Sequence, residues 1–391
     1  MAKLQASLIW PGFAQGKYTV KAKNCFLAVL NWGNAAGPLP NWGPFGYVPV
    51  DPAGNGSFFF PGMRSIPFDA THIWAKCIGH DFATFEDISE PIPEKMRLVA
   101  ADESASRFSI LTDLHLSSKP FRIRQALQAT KNDVVLLLGD SANDGLQEQF
   151  EALETCIDDL IPGKVILPVI GNHDILHSRK ADGDGCRNYA TFQTRSLQNA
   201  EKRGMSFERD PDSLAWATTI GTLDVIGLQC VISERRFLFP ERKQLEWLEN
   251  RLTAHRDSAW HLILCHAPLI SHNPLRSDGQ PYLDKDRQLQ ALIDRIGHCI
   301  FLSGHTHISP NTMKSSAEWD GLRNNLYLNC GSVVDTTTEH DESLMSRDWK
   351  DGCVTEITLS SDIIEIVTKS IRTGIYFPRG YYRFTMTDNA E

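Results

Sequence analysis

Val134-Val135-Leu136-Leu137-Leu138-Gly139-Asp140 is an unbroken aliphatic run that ends on a glycine and a carboxylate. A run of this kind, without alternation of polar and apolar residues, reads as a strand covered on both faces of its sheet. Four more runs have the same form. Phe108-Ser109-Ile110-Leu111 leads to Asp113-Leu114-His115, and Lys164-Val165-Ile166-Leu167-Pro168-Val169-Ile170 leads to Gly171-Asn172-His173-Asp174. His261-Leu262-Ile263-Leu264-Cys265 leads to His266, and Cys299-Ile300-Phe301-Leu302-Ser303 leads to Gly304-His305-Thr306-His307. Ligands of α/β sheets gather beyond the carboxyl ends of the strands, so the five polar stretches are expected to meet at one edge. Almost every side chain suited to a hard or borderline metal ion lies in them.

The segments between these runs supply crossover helices. Arg122 to Lys131 can form one, and Gln147 to Leu160 places Phe150, Leu153, Ile157 and Leu160 on one face at helical spacing. Pro240 stands at a favoured first helical position ahead of Leu245, Leu248 and Leu252. Asp284 or Asp286 can cap a further helix with Leu289, Leu292, Ile293 and Ile296 on its apolar stripe. Ile175 to Leu214 reads as a long polar, turn-rich insertion that starts at the expected site. Leu326 to Ser332 and Val354 to Ile371 alternate, with a Ser360-Ser361-Asp362 turn, and are expected to complete a second sheet as antiparallel strands.

Residues 1–95 have a different texture. Tyr18 to Lys23 and Thr71 to Cys77 alternate between segments rich in Gly, Pro and Asn, which suggests a small all-β sandwich domain. Its aromatic residues, Trp32 and Trp74 among them, are expected mainly in a small core. Glu90-Pro91-Ile92-Pro93-Glu94-Lys95 has the composition of a stiffened linker, so the second domain is expected to span 96–391.

Composition narrows the function classes. A length of 391 residues suggests two or three domains, and 42% hydrophobic with 22% charged residues excludes wholesale disorder. A net charge of -9 argues against extended nucleic-acid binding through a basic surface. No window approaches a membrane span, and Pro11 interrupts what a signal peptide would need, so a cytoplasmic location without membrane attachment is expected. The nine cysteines lie mostly in apolar runs, as reduced core thiols do. Oligomeric state is not legible in the sequence.

The donors in the five stretches suggest a chemistry. One residue separates Asp113 from His115, so at a strand end both side chains would leave on the same side and could hold one ion. Asp140 has two carboxylate oxygens and could bridge to a second ion. Two divalent cations about 3.5–4 Å apart form the clamp used for in-line displacement at phosphorus. Such an ion also acidifies bound water, toward a pKa near ~7 for zinc, so the nucleophile is expected to be solvent. With Asn172 adding a carbonyl oxygen and His266, His305 and His307 adding imidazoles, the nitrogen and oxygen set suits manganese, iron or zinc better than calcium.

Asp113-Leu114-His115, Gly139-Asp140-Ser141-Ala142-Asn143, Gly171-Asn172-His173-Asp174, His266-Ala267-Pro268 and Gly304-His305-Thr306-His307 together resemble the five-motif signature of the calcineurin-like metallophosphoesterase superfamily. The resemblance covers roughly residues 98–370 and implies a four-layer αββα sandwich with paired metals at its edge. It places Asp113, His115, Asp140 and His307 on the first metal, and Asp140, Asn172, His266 and His305 on the second. His173 is implied as general acid or transition-state donor, held by Asp174, and both are expected to be catalytic. The implied reaction is hydrolysis of a small-molecule phosphate mono- or diester by a metal-bridging hydroxide.

The motif set is similar to class III cyclic-nucleotide phosphodiesterases, including the glycine at Gly145, although these usually have an acidic residue where Asn143 stands. Purple acid phosphatases have a tyrosine there, so a tyrosinate-iron centre is not expected. Asn143 is expected to support the site through its amide without binding metal. Arg179, Lys180 and Arg187 follow the third motif and are candidates for contacting the substrate phosphate. His177, His261, His272 and His298 read as structural or surface residues. Two competing functions are a cyclic-nucleotide phosphodiesterase specifically, and a binding or scaffold protein whose N-terminal β domain carries the main role.

Overall fold

The computed structural model describes residues 105–116, 120–176, 186–233, 236–240, 243–272, 283–308, 316–334, 352–361, 363–371 and 376–385, together with strand segments between 3 and 87. The N-terminal strands are β1 (Lys3–Ala6), β2 (Gly16–Lys21), β3 (Leu27–Asn34), β4 (Gly37–Pro38), β5 (Gly46–Pro49), β6 (Asn55–Phe60), β7 (His72–Ile78) and β8 (Ala83–Asp87). They form two antiparallel sheets, β1-β2-β6 and β4-β3-β7-β8, with β5 paired to β3. Trp32 is fully buried, so this aromatic side chain serves packing and is not presented to a ligand. The expected linker, Glu90 to Lys95, lies outside the described residues.

Two larger sheets carry the rest of the chain. β9 (Ser106–Leu111), β10 (Val134–Leu138) and β11 (Val165–Val169) run parallel, joined through α1 (Pro120–Ala129) and α2 (Gln147–Leu160). After α3 (Arg187–Glu201) the chain enters the second sheet with β12 (Glu208–Arg209), β13 (Trp216–Ile220) and β14 (Leu223–Gly227). A hairpin of β15 (Val231–Ser233) and β16 (Arg236–Phe237) precedes α4 (Lys243–Ala254), β17 (Trp260–Leu264), α5 (Asp286–Ile296) and β18 (Cys299–Ser303). β19 (Ala317–Asp320) and β20 (Asn325–Asn329) complete the order β12-β13-β14-β17-β18-β20-β19. β21 (Cys353–Leu359), β22 (Ile363–Ser370) and β23 (Tyr376–Thr385) return to the first sheet, ordered β11-β10-β9-β21-β22-β23.

Alternate residues of each central strand face different layers, which explains the unbroken aliphatic runs. Leu136 and Leu138 join Phe108, Ile110, Leu167 and Val169 in one buried cluster with Trp216, Val225, Leu262, Leu264, Ile300 and Leu302 of the other sheet. Their neighbours Val135 and Leu137 belong to a second cluster with Ile123, Leu127, Phe150 and Leu153 of α1 and α2. Ile263 and Phe301 face α4 and α5 in the same way, with Leu248, Leu252, Leu289 and Ile293. The architecture is therefore the four-layer αββα sandwich, preceded by antiparallel strands. Among the described residues no helix is long and apolar enough to cross a membrane.

Three expectations need correction. The insertion contains α3, which buries Tyr189, Phe192, Leu197 and Ala200 at helical spacing and leaves its polar face to solvent. The late strands do not share a sheet: β20 lies parallel to β18, whereas the β21-β22 hairpin pairs with β9. Neither Asp284 nor Asp286 caps α5, because Asp284 Oδ1 accepts the Phe239 N–H at 2.8 Å and Asp286 Oδ1 the Ile270 N–H at 2.9 Å.

Leu136→Ala removes a fully buried side chain from between the two sheets and is expected to cost about 2–5 kcal/mol in denaturant unfolding. Leu322→Ala, at a side chain 70% exposed, should stay within about 0.5 kcal/mol of the parent.

Candidate metal centre

The loops after β9 and β10 are laced together. Asp113 N–H donates to Gly139 O at 3.1 Å, His115 N–H to Asp140 O at 2.9 Å and Leu116 N–H to Ser141 O at 3.1 Å. Asp113, His115, Asp140, His305 and His307 all have left-handed backbones, with φ of 53°, 44°, 50°, 69° and 51°. Side chains rarely adopt this region, and such residues gather at functional sites. Asp113 and His115 therefore converge through left-handed turns, and not through the strand alternation expected of them. Space is also reserved by glycine. A Cβ on Gly171 would lie 2.3 Å from Asp140 Oδ1, and one on Gly304 would lie 2.0 Å from Thr112 Oγ1 and 2.9 Å from Asp113 Oδ2.

The convergence gathers ligand atoms into three overlapping groups: Asp113, His115 and His307; His115, Asp140 and His173; Asp140, His266 and His305. In the first, His307 Nε2 lies 3.1 Å from Asp113 Oδ1 and 3.2 Å from His115 Nε2. In the third, His266 Nε2 lies 3.3 Å from Asp140 Oδ2 and 3.2 Å from Asn172 Oδ1, which adds Asn172 to that group. Asp140 Oδ2 is also 3.8 Å from His115 Nε2, so this one oxygen faces both sets. Asp140 Oδ1 is occupied by the His173 N–H at 2.7 Å. His266 Nδ1 donates to Leu138 O at 2.7 Å, which fixes the tautomer and leaves Nε2 as the free donor atom.

A cation fits this arrangement. Among the described residues, Asp113 Oδ1 and His305 Nε2 are buried without a hydrogen-bond partner of good geometry, a condition that costs about 1–3 kcal/mol for each atom. Asp113 Oδ2, by contrast, accepts from Thr112 Oγ1 at 2.7 Å and from the His305 N–H at 3.0 Å, which aims Oδ1 at the site. Electrostatics agree. Burial alone would raise the Asp113 carboxyl, but His307 beside it and His266 bring it down to about 2. Burial is likewise outweighed at Asp140, which His266 and His115 hold well below the usual carboxylate range. Burial and the nearby His266 push His305 down to about 4, a neutral imidazole able to ligate. Burial alone would lower His266 and His307, but the neighbouring carboxylates Asp140 and Asp113 instead raise them, so a bound cation would take the place of those protons. Buried carboxylates and imidazole nitrogens without thiolate are a donor set for a borderline divalent ion.

The neighbours of His173 differ from expectation. Its Nδ1 donates to the backbone carbonyl of Asn143 at 2.8 Å. Asp174 does not hold the ring; its carboxylate accepts the Ala142 N–H at 2.9 Å and the Gly171 N–H at 2.8 Å, tying together the second and third loops. Burial and the charge of Asp140 push Asp174 up to about 8. The Asn143 amide, expected to support the site, turns away to Asp144 Oδ2 at 3.1 Å. Arg179 and Lys180 lie outside the described residues. Arg187 is exposed at the start of α3 and lines a cavity of about 260 Å³ with Gln147, Glu151, Glu154 and Arg195, away from the donor sets. His261 faces Asp224 at 3.3 Å and His272 meets Glu318 at 2.7 Å, both apart from the donor groups, while His177 is outside the described residues.

Residues 106–309, more than half of the 391, match the calcineurin-like phosphoesterase family. The chain belongs to that family. Calcineurin-like phosphoesterases are metal-dependent hydrolases of phosphoesters, and the donor groups described above suit that general chemistry. Among solved structures, PhoD is similar at 10% identity with a TM-score of 0.46, over 98% of this chain and 92% of that one. Vacuolar protein sorting 29 from Cryptosporidium parvum is similar at 15% identity and a TM-score of 0.35, over 72% of this chain and 98% of that one. GAP50, the anchor in the inner membrane complex of Plasmodium, is similar at 14% identity and a TM-score of 0.43, over 73% and 90%. No curated protein matches the sequence.

This calcineurin-like phosphoesterase also uses residues that sequence reasoning passed over. Asn329, at the end of β20, donates from Nδ2 to Gly304 O at 2.7 Å and accepts at Oδ1 from Thr306 Oγ1 at 2.7 Å. It thereby staples the loop that carries both His305 and His307. The available signal was its position, a polar residue closing another apolar run.

Asn329→Ala should remove the two side-chain bonds to Gly304 O and Thr306 Oγ1 and weaken metal uptake by about 10–100-fold, measured by elemental analysis after graded chelation. Asn329→Asp keeps the shape but sets a carboxylate against a carbonyl, and is expected to lose at least as much.

Proposed function

We propose that the site is a binuclear centre that hydrolyses phosphate mono- or diesters of small molecules. Asp113, His115, Asp140 and His307 would hold one divalent ion, and Asp140, Asn172, His266 and His305 the other, with manganese, iron or zinc as the candidates. The observation that carries this reading is the position of Asp140 Oδ2, within 3.8 Å of His115 Nε2 and 3.3 Å of His266 Nε2. Two such ions would supply positive charge for the phosphoryl oxygens and make water a stronger acid at neutral pH.

The chain's own groups do the rest. Asp113 and Asp140 stay ionised and set the spacing of the two sets. His173, with Nδ1–H committed to Asn143 O, has Nε2 left for the substrate; in its imidazolium form it would give the Nε2 proton to the leaving oxygen and return to the neutral Nδ1–H ring. Its ring stands edge-on to His115 with centroids 4.5 Å apart, which keeps it beside the ions without displacing a ligand. Asp174 keeps Gly171 and Ala142 in place and so acts as a positioning residue. A cytoplasmic setting belongs to the same reading, supported by the seven described cysteines, all of them free and five buried.

In Asp140→Asn, metal content should fall from two equivalents and turnover by more than about 10²-fold, beyond what loss of an outer partner costs. Full metal content in that variant would refute the shared carboxylate. His173→Ala should keep both ions while losing about 10²–10⁴-fold in turnover of esters with poor leaving groups, and much less with p-nitrophenolate. An equal loss for both kinds of ester would remove His173 as the proton donor.

A further inference from the structure

A histidine that binds a metal is normally oriented by a hydrogen bond from its second ring nitrogen. His266 has Leu138 O, and His173 beside the site has Asn143 O. His305 is different. Among the described residues its ring makes no hydrogen bond, and Nε2 is a buried atom without a partner. What touches the ring is Phe237, whose centroid lies 4.7 Å away at an interplanar angle of 81°. Phe237 also lies 6.0 Å from His266, and the two imidazoles are 5.4 Å apart at 71°. Three rings thus form one cluster around the second donor set. The first set has no such companion among the described residues, since its ring contacts are between histidines alone.

Phe237 is well placed to be rigid. It is 1% exposed and sits on the β15-β16 hairpin opposite Val231, which is itself fully buried. Its carbonyl accepts the Asp284 N–H at 3.0 Å, and two residues on, Phe239 N–H donates to Asp284 Oδ1 at 2.8 Å. The backbone that follows the ring is therefore clamped to Asp284, in the segment leading into α5. Edge-to-face aromatic contacts of this separation contribute beyond simple burial and favour one ring orientation.

We infer that Phe237 is the positioning residue for His305, taking by ring contact the part that a hydrogen bond plays at His266, and that it sets the affinity of the second ion. The inference rests on the binuclear reading proposed above. It also implies that the two ions are held by unequal means, because among the described residues only the second set adds an aromatic wall to its polar contacts.

The test is metal uptake, followed by calorimetric titration of the chelated protein with manganese and zinc, with stability read by thermal unfolding. In Phe237→Ala one equivalent should bind about 10–100-fold more weakly, and the other should be unchanged. Phe237→Leu, which keeps most of the buried volume, separates loss of ring contact from loss of fold: it should unfold near the parent temperature and still bind the same equivalent more weakly. His305→Ala should weaken that equivalent too, and the double variant should lose no more than His305→Ala alone, because the two changes act on one contact. Both equivalents binding at parental affinity in Phe237→Ala or Phe237→Leu, or both weakened alike, overturns the role of Phe237. Independent, additive losses in the double variant do the same. A parent protein that takes up no ion sinks the binuclear reading itself, and with it the inference.

Discussion

Two carboxylates with almost no exposure, Asp113 and Asp140, face a common space, and the rest of the site answers to that. Like charges in a buried place repel and lose their hydration, so they stay ionised only where positive charge or hydrogen-bond donors compensate. His266, His307 and several backbone N–H groups do so here. The left-handed turns, the glycines that admit close approach and the laced loops are the means by which five separate strand ends bring those groups within reach. Each of these features is unfavourable taken singly. Together they are held by the two sheets, whose interdigitated aliphatic side chains leave the strand ends no freedom to drift.

Much of this was legible in the chain. A strand covered on both faces has to be apolar throughout, so Val134 to Leu138 and its counterparts declared themselves, and a sudden polar residue after each one marked the edge. What escaped has a physical reason in each case. The role of Asn143 runs through its carbonyl, and a backbone atom has no side-chain signature. Left-handed φ at Asp113 or His307 follows from tertiary pairing, since neither residue type demands it. Asn329 works on a loop that is distant in sequence, so no periodicity points to it. α3 was obscured because its buried residues are diluted by a long polar face, and the pairing of β20 and β21 with different sheets depends on contacts that local propensity does not encode.

The histidines around the donor groups differ in what holds their rings. His115, His266, His305 and His307 reach the donor groups from the first, fourth and fifth loops, and His173 joins His115 and Asp140 from the third with its Nδ1 bound to a backbone carbonyl. Asp174, one residue on, is spent on keeping that loop against its neighbour. The division explains how adjacent residues in one short motif can have unlike duties: the turn of backbone between them sends one side chain outward and the next one under the loop.

The pairing of β9 with β21 bears on how the protein comes to be assembled. β9 carries the loop with Asp113 and His115, yet the strand on its other flank, β21, follows the seven strands of the second sheet, the five helices of the described residues and the loop with His305 and His307 in the chain. Contacts this remote are slow to close, because the loop entropy must be spent before they reward it. A growing polypeptide would thus display an unfinished edge of β9, beside Asp113, until residues 353–359 have emerged.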